Sequence, residues 1–171
     1  PKPQNPCAAD FKLNMAMRTS GNDSRQSGRE SNSAFGDKDD RDKNRNKIAE
    51  YRNLCTVVDR ARLDIIHGEI EAASKQVYDL ISILTSDQHK VFEQNDIELL
   101  PAYFLLAEAN ICLGGARLKK AEEFLIAAYW NLLNLKSQDD KDGDKKTIVS
   151  EKEIQAFTGT LHKTFGRLFL S

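Results

Sequence analysis

Two apolar runs, ELLPAYFLLAEANICL and LKKAEEFLIAAYW, flank the short stretch Gly114, Gly115, Ala116 and Arg117. Both runs carry apolar side chains at steps of three and four, the period of an amphipathic helix. Paired glycines accept the left-handed backbone that ends a helix, so the first run stops there and the chain turns back. Small residues recur inside both runs, at Ala107, Ala121 and Ala128. Where two helices cross, a small side chain lets the backbones approach and a large one holds them apart. A tight helical hairpin is therefore the strongest constraint that these residues impose.

The same period extends well beyond the hairpin. Tyr51, Leu54, Val58, Ala61 and Ile65 form one helical face, and Gly68 breaks it. Ile70, Ala73, Val77, Leu80 and Leu84 repeat the pattern in a second helix that turns back on the first. The stretch TSDQHKVFEQND reads as a long loop or a short extra turn. Pro101 then suits the first turn of a third helix, carrying Tyr103, Leu106, Ala107, Asn110 and Ile111. A fourth helix follows with Leu118, Ala121, Leu125, Ala128, Leu132 and Leu135 on one face. Phe124, Tyr129, Trp130 and Leu133 make it apolar on a second side, which predicts packing on both sides. After the charged stretch SQDDKDGDKK, Ser150 and Glu153 have the spacing of a capping box opening a fifth helix. Its apolar face holds Ile154, Phe157, Leu161, Phe165 and Leu168, and is expected to lie exposed because no partner helix follows among these residues. The expected fold class is all-α: stacked antiparallel hairpins, about two and a half of them over residues 48–171.

The small-residue positions have the order of a tetratricopeptide repeat. Tyr103, Leu106, Ala107 and Asn110 match the pattern of its first helix, and Ala121, Leu125 and Ala128 that of its second. Ala61 and Ala73 belong to a weaker copy upstream, and Phe165 and Gly166 begin another downstream. An ordinary helical bundle with alanine at its crossings would share much of this signature. The wording ELLPAYFLLAEA…AEEFLIAAYW is narrower, and resembles the repeat region of the zinc finger MYND domain-containing protein 12 family. There a Glu-Leu-x-Pro-Ala-Tyr stretch precedes a helix with Ala-Glu-Glu and a Trp, matched here by Ala121, Glu122, Glu123 and Trp130. The resemblance covers residues 50–171 and is concentrated in 98–130. It implies an α-solenoid fragment working as an adaptor of an inner dynein arm in the axoneme of motile cilia. The implied partners are a second tetratricopeptide protein and a dynein heavy chain, and the implied location is the cytoplasmic cytoskeleton of the cilium. The family's zinc finger and later repeats are not among these residues, and residues 137–147 form an extra charged insert. Two other readings fit the helical pattern. One is a generic tetratricopeptide module gripping a peptide, chaperone- or kinesin-related. The other is the helical tail of a MYND/SET-type methyltransferase.

Residues 1–47 have a different character. Phe11, Leu13, Met15, Met17 and Phe35 are their larger apolar side chains, between Gly/Ser-rich and mixed-charge stretches. So little apolar surface cannot offset the entropy of ordering, so this tail is expected to be disordered alone. Phe11, Met15, Met17 and Phe35 are its candidate partner-binding anchors, with 37–47 as a charged tether. Ser20, Ser27 and Ser31 lie in arginine-containing contexts open to basophilic kinases. The 171 residues suit one domain plus this tail, and the initial Pro suggests processing or a piece of something longer.

Charge does not point to nucleic acid. Residues 1–47 carry net +3 and residues 48–171 net −4, without the one-sided basic excess of a nucleic-acid surface. No apolar run is long enough to suggest a membrane span. Cys7, Cys55 and Cys112 are isolated, and the latter two read as core thiols. If Gly143 were the sixth position of a calcium loop, the twelfth would be Val149, which cannot supply the bidentate carboxylate. His67, His89 and His162 have no convincing catalytic or metal-ligand spacing, and His162 reads as a packing residue. No catalytic residue, metal site or cofactor is expected.

Overall fold

The structure, a computed structural model, describes residues 37–138 and 148–171, with side chains at 41–135 and 148–171. The chain divides into two units, Pro1–Ala34 and Phe35–Ser171, and every described residue belongs to the second. Phe11, Met15, Met17 and Phe35 therefore lie outside the described residues, as does most of the charged insert with its rejected calcium loop. Among the described residues there are five α-helices and two single-turn 3-10 helices, with no strand. The fold is all-helical.

Helix α1 spans Asp37–Ile66, and its early start corrects the boundary expected at residue 47. Physical reasons for this start lie in the charged run itself. The run is rich in Lys, Arg and Asn, which stay solvated on an exposed helix. Neither Gly nor Pro interrupts residues 37–66. Side chains 41–46 are exposed, and packing begins at Lys47. Beyond that point Leu54, Val58 and Ala61 are fully buried, as their spacing predicts.

Helix α2 covers Ile70–Leu84 and buries Ala73, Val77, Ile81 and Leu84. Residues 85–96 form turns, and a 3-10 turn at Ile97–Leu99 leads into α3, Leu100–Leu113, with Pro101 in its first turn. Every side chain from Leu100 to Ala107 is buried. A helix apolar all round must be enclosed, and α3 is: α1 and α2 pack against it, as do α4 and α5. Gly114 ends it with φ 65° and ψ −166°, a combination essentially reserved to glycine, and Gly115 follows at φ 55°. A 3-10 turn at Gly115–Arg117 then starts α4, Leu118–Gln138.

Helix α5 spans Glu151–Phe169 and opens with the predicted capping box. The Ser150 N–H donates to Glu153 Oε2 at 2.8 Å, and the Glu153 N–H donates to Ser150 Oγ at 3.4 Å. The Ser150 hydroxyl, which donates to Glu153 Oε2 at 2.7 Å, and the Ser150 N–H hold the Glu153 carboxyl below its ordinary pKa of 4.5. The expectation that the apolar face of α5 lies open is wrong. Leu161 is buried, and Ile154, Phe157, Phe165 and Leu168 pack against the core, because α3 and α4 together supply the missing cover. Phe169 and Leu170, at the far end, are the exposed ones.

Candidate functional site

Helices α3 and α4 pack on each other, and the residues that the repeat pattern names are buried in them. Ala107, Ala121, Leu125 and Ala128 have no exposed surface, and Leu106 and Tyr103 are almost as buried. Asn110 departs from the pattern, yet it fits. Its Nδ2 donates to the Leu106 carbonyl at 2.6 Å, which satisfies the buried amide within its own helix. The Tyr103 ring stacks on Phe124 with centroids 6.2 Å apart, and Phe104 meets Phe157 of α5 at 6.1 Å. Aromatic pairs of this kind add about 0.5–1.5 kcal/mol beyond area burial. Ala61 and Ala73 are buried in α1 and α2 respectively. Phe165 is half-buried and stacks on Phe169. Gly166 is a correction: it is exposed, and a Cβ placed there would have no neighbour within 4 Å.

A polar lock beside this crossing has no counterpart in the sequence reading. Lys47 Nζ of α1 lies 3.1 Å from Asp96 Oδ2 and 3.3 Å from Glu98 Oε1, and 5.5 Å from the centre of the Phe92 ring. Glu98 is 2% exposed, so its carboxylate depends on that ammonium. Burial alone would lower the Lys47 pKa, but Glu98 and Asp96 together outweigh it and hold it above its ordinary value. Two more helices reach the same loop. The Tyr103 hydroxyl of α3 donates to the Gln94 carbonyl at 3.1 Å. Asn131 Nδ2 of α4 donates to the carbonyls of Gln94 and Asp96 at 3.3 and 3.2 Å. Burial, reinforced by Asp96, pushes the Tyr103 phenol up to about 12. Residues three helices apart in sequence thus converge on one turn, and no local spacing could have announced them.

A third contact joins α1 to α5. The Tyr51 hydroxyl donates to Glu153 Oε1 at 3.4 Å. Burial raises the Tyr51 pKa, with Cys55 and Glu153 adding to it. Burial likewise raises the thiol of Cys55, which is half-buried. Cys112, in the last turn of α3, is exposed, against the expectation of a core thiol. Beside it, Arg167 Nη1 of α5 pairs with Glu108 Oε1 at 3.4 Å.

The second apolar side of α4 also departs from expectation. Ile126, Tyr129 and Trp130 are 38%, 45% and 48% exposed, whereas Phe124 and Leu133 are partly covered. Lys119, Lys120, Glu122 and Glu123 are exposed along the first turns of α4. Burying those charges would cost more than burying the three apolar side chains returns. It is α3, without such charges until Glu108, that is packed all round. His67, His89 and His162 are all exposed, and His162 is not the packing residue its spacing suggested.

Among the described residues no group of three or more His, Cys, Asp or Glu side chains could hold a metal ion. No described helix is long and apolar enough to cross a membrane. Every buried side-chain polar atom among the described residues has a hydrogen-bond partner. No protein-family model matches the chain, and no solved structure matches it.

Proposed function

We propose that this chain is a non-catalytic helical-repeat scaffold that holds other proteins together, an adaptor of an inner dynein arm in the axoneme of motile cilia. The observation that supports the scaffold reading best is the order of packing. α1 packs on α2 and α3, α2 on α3, α3 on α4 and α5, and α4 on α5. Each helix meets its neighbours in sequence, and α1 meets α3 and α3 meets α5 as well, the pattern expected of stacked hairpins, with Ala61, Ala73, Ala107, Ala121 and Ala128 buried. The resemblance of residues 98–130 supplies the ciliary part. Its partners on this reading are a second tetratricopeptide protein and a dynein heavy chain.

The peptide-gripping alternative needs cationic or amide side chains facing an open groove on the first helix of a repeat. On α3 the side chains that reach solvent are Glu108, Cys112 and Leu113, and Asn110 is bonded within its own helix. That favours a packed scaffold over a carboxylate clamp.

Two measurements test the two parts separately. The full chain, tagged and expressed in multiciliated cells, is expected along axonemes, with a dynein heavy chain enriched by proximity labelling over an unrelated helical control. Diffuse signal without that enrichment would overturn the ciliary assignment. The repeat reading stands or falls on overpacking of the crossing, argued in the Discussion.

A further inference from the structure

We draw no further inference here: the strongest candidate, the half-exposed Ile126, Tyr129 and Trp130 stripe on the outer side of α4, is an apolar face for which nothing in the structure shows what covers it.

Discussion

Lys47 shows how much can depend on one side chain. Its ammonium neutralises Glu98, which is 2% exposed, and also meets Asp96. Lys47→Met leaves that carboxylate buried without its cation and is expected to destabilise by about 1–3 kcal/mol, the lysine itself being partly solvated. Adding Glu98→Met should recover much of the loss, since an apolar pair often replaces a buried ion pair without penalty. Urea melts of the two single variants and the double variant check this, and strict additivity would mean that the pair is not coupled. Tyr103 offers a second test at the same loop. Its phenol ionises near 10.0 in ordinary surroundings and near 12 when folded. The unfolded chain therefore loses that proton first, and stability falls as pH rises. The contribution is complete below about pH 10 and disappears between there and about pH 12. Tyr103→Phe should flatten this part of the alkaline limb, and cost about 0.5–1.5 kcal/mol at neutral pH for the lost bond to Gln94. Equal alkaline slopes in parent and variant would contradict the assignment. Neither Lys47 nor Asn131 was legible in the sequence, because a lock joining residues 47, 96, 98 and 131 leaves no periodic trace.

At the scale of the element, the crossing of α3 and α4 is the most exacting region. Ala107 and Ala128 have no exposed surface. Leucine at either position has no room, so Ala107→Leu and Ala128→Leu are each expected to cost about 1–3 kcal/mol through overpacking. If both variants melt where the parent does, the alanines do not set the helix separation and the repeat reading loses its support. Gly114 fails for a different reason. A Cβ there would meet nothing within 4 Å, yet φ is +65°. Gly114→Ala is therefore expected to lose on the order of 1–3 kcal/mol purely from backbone strain, measured by thermal melts. These local features were the readable ones: the Gly pair, the capping box at Ser150 and the apolar steps in α1, α2 and α4 all occur where their spacing puts them. What spacing cannot tell is which of two apolar sides finds a partner. The sequence of α4 looks two-sided, yet Ile126, Tyr129 and Trp130 on its second side stay half exposed. The decision belongs to neighbours far along the chain and to the charges that would have to lose water.

For the whole molecule, α3 is the shared core and the other four helices each cover part of it. Substitutions that loosen α3 should therefore lower the melting of every helix together, while losses at the exposed start of α1 should remain local. Amide exchange separates the two behaviours: residues 37–46 are expected to exchange fastest, and 100–111 slowest. Comparable protection in both would contradict this picture. The chain also carries its own optical reporter. Its single Trp, Trp130, is 48% exposed on the outer side of α4 rather than in the core. In the folded protein its emission should already lie towards the red and be open to iodide quenching. Unfolding would shift it little, and fluorescence would miss a transition that circular dichroism records in full. Anything that settles over Ile126 and Tyr129 would instead move the emission to the blue while leaving the helical signal unchanged.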